Sequence, residues 1–207
     1  SGPLAVSLDE FGRYFAEGRG QLWERQALCK ARPIFGSPGA REKAMQVIRR
    51  CIAEPPWDRS NALEIRSMRQ RLQETASPRN LKRGPGGTVD VEFIVQMLQL
   101  RHATASPAVL VPGTLDAIAA LHAAGHLADE DAAFLSRSYR FLRSVESGLR
   151  LMNTTARHDL PAEETELKKL AFLLGYRSHT ALLDQCREYT QENRKRFNRL
   201  FDEAAER

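Results

Sequence analysis

The stretch from Asn80 to Gln96 has the residue types and spacing of an anion site. Its glycines are close together in the chain: Gly84, Gly86 and Gly87. Glycine permits backbone angles and close approaches that a side chain would block. Thr88 can cap the helix that follows, whose first turn would present free N–H groups and a partial positive charge. With Lys82 and Arg83 just before the glycines, the stretch predicts a site for an anion such as a phosphate. A tight turn without a ligand is the alternative.

Two acidic residues follow the glycines. Asp90 falls on the same helical face as Ile94 and Met97, where a solvated carboxylate is unusual. It could pair with a nearby arginine, help to hold a metal-bound nucleotide, or act only as a favourable charge in the first helical turn. Glu92 lies four residues before Gln96, so these two are expected to be neighbours on the polar face.

Cysteine and histidine chemistry is not expected. The cysteines are far apart and form no CxxC pair: Cys29, Cys51 and Cys186. They are interpreted as buried thiols in a reducing cytosol. His122 and His126 have the spacing of a metal pair on a helix, but Gly125 lies between them and the pair contains no glutamate base. We therefore predict no metal site.

The hydrophobic pattern predicts helices almost throughout. Ser7 and Glu10 have the spacing of a capping box, and Ser37-Pro38 has the form of a helix start. No series of alternating β-branched segments indicates a sheet, although Leu4 to Val6 could form a short strand. We predict an all-α helical bundle of about nine helices, with a possible division near residue 80. Its helices are expected to begin near Ser7, Gln21, Ser37, Ser60, Thr88, Pro112, Asp129, Pro161 and His179.

The second and fourth of these helices carry more detailed expectations. The second is expected to run from Gln21 to Arg32, where Pro33 stops it. In the fourth, Ile65, Met68 and Leu72 have the spacing of an inward face, with arginines around them. These arginines are Arg66, Arg69 and Arg71.

Composition narrows the classes of protein. The 207 residues are 42% hydrophobic and 28% charged, which is ordinary for a soluble globular protein. Apolar runs are too short to span a membrane, and no secretory signal is visible, so a cytoplasmic location is expected. The chain begins with Ser1 and not Met, which suggests a piece of a longer protein.

The net charge of +5 raises the question of a polyanionic partner. The basic residues concerned are Arg66, Arg69, Arg71, Arg79, Lys82 and Arg83. Few aromatic residues accompany them, so a platform for stacking bases is poorly supported and no nucleic-acid partner is expected.

Three separated motifs resemble one family. The sequence Gly-Pro-Gly-Gly-x-x-Asp-x-Glu-Phe-x-x-Gln from Gly84, after Leu81-Lys82, resembles the signature of glutamine synthetase adenylyltransferases, also called adenylyl-removing enzymes. A looser version occurs in PII uridylyltransferases. Near the start, Ser1 to Leu4, Ser7-Leu8, Phe11, Tyr14 and the segment Trp23 to Arg32 also agree. Further agreement comes from Glu64, Arg66, Met68, Arg69, Phe141 to Arg143, Glu146, Leu149, Arg150 and Leu160-Pro161.

The resemblance implies a nucleotidyltransferase that regulates nitrogen assimilation. Members transfer AMP from ATP to a tyrosine of glutamine synthetase, or remove it by phosphorolysis. The partners that the resemblance implies are glutamine synthetase and the PII signal protein. The reaction requires Mg²⁺ and ATP, and carboxylates in a Gly-Ser…Asp-x-Asp segment hold the metal. This chain lacks that segment. Its only Asp-x-Asp run, Asp129-Glu130-Asp131, follows no Gly-Ser turn and is typical of a helix start. We therefore expect no catalytic residue here, no cofactor requirement for folding, and no activity from the chain alone.

The family arrangement also implies domain boundaries. Residues 1–36 would be the tail end of, and the link from, a nucleotidyltransferase domain, and residues 37–207 would be a helical bundle domain of the PII-uridylyltransferase type. The spelling Gly-Gly-Thr-Val-Asp-Val-Glu from Gly86 is typical of the C-terminal, adenylylating half of the enzyme. The N-terminal, deadenylylating half is the alternative, favoured by Thr114 to Ile118.

Site roles follow from the matched positions. Lys82 and the loop Gly84–Gly87 would face the nucleotide phosphates, while Asp90 and Glu92 would order the loop or contact the metal shell. Residues that would pack on or line the cleft are Trp23, Glu24, Lys30 and Arg32. Core packing of Trp23 and a structural ion pair of Arg32 are the alternatives. A different function also stays open, that of an interaction module docking glutamine synthetase or PII without a part in the chemistry.

Overall fold

The computed structural model describes residues 5–152 and 158–206. These residues form nine α-helices, one 3₁₀-helix and no strand, which confirms the predicted all-α class. The helices are α1 (Leu8–Ala16), α2 (Leu22–Leu28), α3 (Pro38–Ala53), α4 (Arg59–Glu74), α5 (Thr88–His102), α6 (Thr114–Ala123), α7 (Asp129–Met152), α8 (Glu164–Leu173) and α9 (His179–Glu206). The 3₁₀-helix is Pro107–Val109.

The helix starts follow the capping signals. Glu10 N–H donates to the Ser7 hydroxyl and the Glu10 carboxylate accepts from Ser7 N–H at 2.9 Å, so the predicted capping box is present. Ser37 caps α3, and Pro38 is its first residue. Ala5 and Val6 form no strand, and Leu4, in the same expected strand, lies outside the described residues.

Helix α2 is shorter than expected. It ends at Leu28 and does not continue to Arg32. The N–H groups of Cys29, Lys30 and Ala31 bond to the carbonyl groups three residues earlier, so the last turn has 3₁₀ geometry. The turn therefore ends the α-helix before Pro33 can.

The chain divides into two compact units. Unit 1 contains the residues up to 61 together with 95–128, and unit 2 contains 62–94 together with the residues from 129 onward. The expected division near residue 80 is therefore wrong, since the chain passes between the units after Asn61, Ile94 and Ala128. The boundary proposed at residue 36 concerns a preceding domain and stays a prediction.

The core of unit 1 joins α1, α2 and α3. Phe15, Val47 and Cys51 are buried together, and Tyr14 packs against them. Arg25, which is 6% exposed, donates to the carbonyl oxygen of Ile52 at 2.8 Å. Its guanidinium also donates to the carbonyl oxygen of Pro55 at 3.0 Å, so it satisfies acceptors at and beyond the end of α3.

The core of unit 2 joins α7, α8 and α9 to residue 81. Its buried members include Leu81, Leu142, Val145, Leu149, Leu170 and Leu182. In α4, Ile65 faces inward as expected, but Leu72 is 38% exposed and the prediction for it is wrong. The buried position next to Ile65 is occupied by Arg69, which is fully enclosed.

His102 and His126 pack against each other, and the cysteines are buried. His126 stacks on His102 with ring centroids 3.8 Å apart and bonds to the Ser106 hydroxyl at 2.8 Å. Within the described ranges, no cluster of three or more His, Cys, Asp or Glu side chains could hold a metal. All three cysteines are buried and free, as predicted. Burial raises the pKa of the Cys29 and Cys186 thiols to about 12.

The helices are too short or too polar to span a membrane in the residues that the structure describes.

The stacked histidines predict a pH dependence of stability. Burial, the neighbouring His126 and Arg101 lower the pKa of His102 from 6.5 to about 4. Below pH 6.5 the His102 imidazole becomes protonated in the unfolded chain but stays neutral in the folded chain. The free energy of unfolding therefore falls as the pH drops toward 4. His102→Gln should therefore lose less stability than the unsubstituted chain between about pH 7 and about pH 5, measured by urea unfolding.

The exposed His122 provides the matched control for this measurement. His122→Gln should keep the pH dependence of the unsubstituted chain. Equal pH dependence in the two histidine variants would contradict the interpretation.

Candidate functional site

The glycine-rich stretch is organised around a buried carboxylate in unit 2. Asp90 has no solvent exposure, and its Oδ1 forms an ion pair with Nε of Arg69, which is 1% exposed. The other oxygen, Oδ2, accepts from Gly86 N–H at 2.7 Å and lies 3.4 Å from a guanidinium nitrogen of Arg194. The expected pairing of Asp90 with a nearby arginine is therefore present, and a carboxylate so enclosed has no oxygen open to a metal ion.

The electrostatics of this group balance two opposing effects. Burial raises the pKa of the Asp90 carboxyl, and the charges of Arg69 and Arg194 and the Gly86 N–H act against that rise. Burial likewise lowers the pKa of the Arg69 guanidinium, and the charge of Asp90 opposes that change. Because removal of either partner leaves an uncompensated buried charge, the two residues depend on each other.

Arg69 also fixes the backbone before α5. Its Nη2 donates to the carbonyl oxygens of Arg83 at 2.9 Å and Gly84 at 2.8 Å. These contacts explain why an arginine occupies an inward position of α4. The side chain satisfies carbonyl groups of a loop that has no sheet or helix partner of its own.

The N–H groups expected to hold a phosphate are bonded within the loop. Gly87 N–H donates to Gly84 O, Thr88 N–H to Leu81 O, Val89 N–H to Lys82 O and Asp90 N–H to Gly87 O, at 3.0–3.1 Å. The prediction that the first turn of α5 presents free N–H groups is therefore wrong. The local turns, and not a ligand, satisfy them.

The loop is also closed against α9. Gly86 has a φ of +71°, and a Cβ there would overlap the backbone carbonyl oxygen of Thr190. Asn193 Nδ2 donates to Gly86 O at 2.9 Å, and Ser138 donates in turn to Asn193 Oδ1 at 2.7 Å. At Gly84, a Cβ would likewise overlap the carbonyl oxygen of Asn80. Close packing explains both glycines.

Lys82 and Glu92 occupy the edges of this arrangement. Lys82 is half-buried, and Glu92 Oε1 accepts from the Tyr139 hydroxyl at 2.9 Å. Gln96, expected beside Glu92, bonds instead to Gln26 Nε2 at 2.8 Å through its side-chain oxygen. The predicted proximity of Lys82, Gly84, Gly86 and Gly87 to nucleotide phosphates stays a prediction.

The second group of predicted residues lies in unit 1. Trp23 is 57% exposed, so core packing is not its role. It lines a groove of about 640 Å³ between α1 and α2, together with Glu24, Phe11 and Tyr14. Glu24 accepts from the Tyr14 hydroxyl at 2.9 Å, which fixes the two helices at the wall of the groove.

Lys30 and Arg32 follow α2 and are exposed. Arg32 makes no ion pair within residues 5–152 and 158–206, so the structural ion pair considered for it is absent there. Neither residue lines the groove that contains Trp23.

Sequence reasoning missed the residues that enclose Asp90. Arg69 was expected around the inward face of α4 and at a position shared with the family, but not as the partner of Asp90, and nothing was expected of Arg194 and Asn193. A signal for Arg69 exists in its spacing, since it lies four residues after Ile65 and so shares the buried face of α4. Arg194 and Asn193 lie more than 100 residues away in the chain and carry no local signal.

Two family models match different parts of this chain. Residues 59–205 match the family model described as GlnD PII-uridylyltransferase, and residues 1–47 match that of glutamate-ammonia ligase adenylyltransferase. Among similar curated proteins is a bifunctional glutamine synthetase adenylyltransferase/adenylyl-removing enzyme of Streptomyces coelicolor, 37% identical over 97% of this chain. Enzymes of the same name from Agrobacterium fabrum and Bartonella quintana are 32% and 30% identical over 98% and 100% of it.

The chain therefore belongs to the family of glutamine synthetase adenylyltransferase/adenylyl-removing enzymes, with a helical part that matches the PII-uridylyltransferase model. It spans about a fifth of the length of these relatives, 21% of the Streptomyces coelicolor enzyme and 22% of the Bartonella quintana enzyme.

The closed loop predicts a strong effect of a single methyl group. Gly86→Ala adds a Cβ at a positive φ and against the carbonyl oxygen of Thr190. Gly175 is a matched control, because its φ is +75° and a Cβ there meets no atom within 4 Å. Gly175→Ala should cost about 1–2 kcal/mol of unfolding free energy, and Gly86→Ala about 1–3 kcal/mol more, measured by urea unfolding. Equal losses in the two variants would show that the loop is not closed against α9.

Proposed function

We propose that this chain is the helical part of an enzyme that transfers AMP from ATP to a tyrosine of glutamine synthetase, or removes it by phosphorolysis, and thereby regulates nitrogen assimilation in the cytoplasm. The observation that carries the proposal is 30–37% identity to enzymes of that name over 97–100% of the chain. PII is the proposed signal partner, and the C-terminal, adenylylating half of the enzyme is the proposed origin.

The chemistry is proposed to reside in another part of the enzyme. Bound Mg²⁺ would neutralise the triphosphate charge of ATP and activate the attacking oxygen. Asp90 does not suit a ligand or a contact to a metal shell, because its carboxylate has no solvent exposure and faces two guanidinium groups. We assign it the alternative role, that of ordering the glycine loop, and propose no metal ligand in this chain.

The contribution of this chain is then positional. A rigid loop before α5 holds Lys82 at its edge, and the exposed Trp23 lines a groove at the beginning of the chain. In the proposed enzyme, Lys82 contacts a phosphate of the nucleotide, while Trp23 and Glu24 line the cleft on the side of the catalytic domain. Lys30 and Arg32, which follow α2 and are exposed, are proposed to supply positive charge next to this cleft.

AMP transfer to glutamine synthetase tests this proposal. With ATP and Mg²⁺, the chain alone should transfer none, and the complete protein in which it occurs should be active. Lys82→Ala in the complete protein should lower kcat/KM roughly tenfold, the value of one charge-assisted contact. Lys168→Ala is the matched control, since Lys168 is exposed on α8 and its one ion pair with a described residue is that with Glu164, at 2.7 Å.

Two outcomes would contradict the assignment. AMP transfer by the chain alone would place catalytic carboxylates within it. Equal rates for Lys82→Ala and Lys168→Ala in the complete protein would remove the role given to Lys82.

A second candidate function is a docking module for glutamine synthetase or PII. It is favoured by exposed apolar side chains where α7 and α8 end, Leu151 at 78%, Phe172 at 86% and Leu173 at 46% exposure. Binding of either protein by the chain alone, unchanged by ATP and lost in Phe172→Ser, would support this role. It is compatible with the first.

A further inference from the structure

We propose that Lys82, Arg83, Arg143 and Arg150 form, around His158, a binding site for a small ligand that carries a phosphate group. The site lies within unit 2. The inference rests on the proposed function in one respect, because Lys82, which is proposed above to contact a nucleotide phosphate, is one of the residues of this site.

Backbone pairing places His158 beside Lys82. Leu81 N–H donates to His158 O at 2.9 Å, and Leu160 N–H donates to Arg79 O at 3.0 Å. Asn80 and Asp159 form the antiparallel bridge between these two bonds. Residues 79–81 therefore run beside residues 158–160, and Lys82 and Arg83 follow directly in the chain.

One face of α7 meets the same place. Arg143, Glu146 and Arg150 are three and four residues apart, which puts them on a single side of the helix. Thr88 donates to Glu146 Oε1 at 2.8 Å, and Leu81 packs in the same cluster as α7 residues of the unit 2 core. This face of α7 thus lies against the loop that carries Lys82 and Arg83.

Positive charge exceeds negative charge in this cluster. Glu146 is buried, at 1% exposure, and it pairs with Arg143 at 2.9 Å. Lys82, Arg83 and Arg150 have no ion-pair partner within the described ranges. The Glu146 carboxylate is therefore matched by one guanidinium. The other nearby carboxylate, that of Asp159, accepts from Asn80 Nδ2 at 2.6 Å, so three cations remain without an ion-pair partner in the described part of the chain.

The imidazole of His158 responds to that excess. Burial lowers its pKa, and Lys82, Arg150 and Arg83 lower the pKa further, whereas Glu146 opposes them. Its Nδ1 is buried and has no hydrogen-bond partner among the described atoms. The positive charges of Lys82 and Arg83 on the loop and of Arg150 on α7 therefore all act on the His158 ring.

A phosphate group suits this arrangement. It carries up to two negative charges and several acceptor oxygens, and guanidinium groups bind it through charge-assisted bonds. The residues of the cluster include no Phe, Tyr or Trp, and its one ring is a partly buried imidazole, so a small ligand is favoured over a nucleic acid.

Calorimetric titration of the 207-residue chain at low ionic strength tests the site, with inorganic phosphate and ATP as separate probes. Arg150→Gln should weaken binding of the probe about tenfold, the effect of one charge-assisted contact. Arg137→Gln is the control, because Arg137 is exposed on the same helix, about 20 Å away along its axis, and should leave binding unchanged.

Glu146→Gln gives a result of opposite sign. The amide oxygen can still accept from Thr88, but the negative charge beside the cations is gone. Binding should therefore tighten about fivefold, whereas loss of structure would weaken it. Thermal melting of each variant reports any change in folding separately.

The probes distinguish the source of the phosphate. ATP binding at least about tenfold tighter than phosphate binding, and weakened by Arg150→Gln, supports the phosphate chain of a nucleotide. Comparable binding of the two supports free phosphate. No saturable binding of either probe, or equal binding in Arg150→Gln and Arg137→Gln, overturns the proposal. A single-stranded DNA oligonucleotide is titrated as a third probe, and its preferential binding through these residues overturns the proposal as well.

These outcomes are independent of the AMP-transfer assay. Failure of anion binding with a Lys82 effect on kcat/KM overturns only this site. Anion binding in a chain whose complete protein transfers no AMP overturns only the proposed function.

Discussion

The enclosed ion pair between Asp90 and Arg69 is the interaction on which unit 2 depends. Two charges removed from water must be paired, and here Gly86 N–H and Arg194 add favourable contacts to the Asp90 carboxylate beside its ion pair with Arg69. Such a pair adds little net stability compared with an apolar core. Its value lies in specifying one conformation, because any movement of the loop or of α4 would expose or strand a charge.

The glycine loop follows from this constraint. Arg69 holds the carbonyl oxygens of Arg83 and Gly84, Asp90 holds Gly86 N–H, and Asn193 holds Gly86 O. The remaining N–H groups at the beginning of α5 are bonded within the loop. The most distinctive motif of the chain is therefore a rigid joint, and its acidic residue is used for structure. Unpaired positive charge remains outside that joint, on the loop and on the adjacent face of α7. In the proposed enzyme this division leaves the metal-binding carboxylates to another domain, and gives this chain the role of positioning an anion.

The sequence was sufficient for what depends on local interactions. Ser7 with Glu10 and Ser37 with Pro38 mark helix starts because a cap needs only residues within one turn, and the structure has both. The pairing of Asp90 with an arginine could be anticipated, since a carboxylate on an apolar face requires a partner. Which arginine it is could not, because Arg69 and Arg194 reach it from α4 and α9. The prediction that Leu72 faces inward failed because helical spacing alone does not show that an arginine, Arg69, occupies the buried side of α4. The Trp23 position was open as well, because an aromatic residue at helical spacing fits a core and a groove equally.

The stability of Asp90 variants tests the central claim most directly. By urea unfolding, Asp90→Ala should lower the unfolding free energy by about 3–5 kcal/mol, because Arg69 is left buried without its partner. The Asp184 side chain is 70% exposed and pairs with Arg187 at the surface. Asp184→Ala removes this exposed ion pair and should cost at most about 1 kcal/mol. A loss for Asp90→Ala no larger than that for Asp184→Ala would contradict the account, since the loop would then be held by something other than the buried carboxylate.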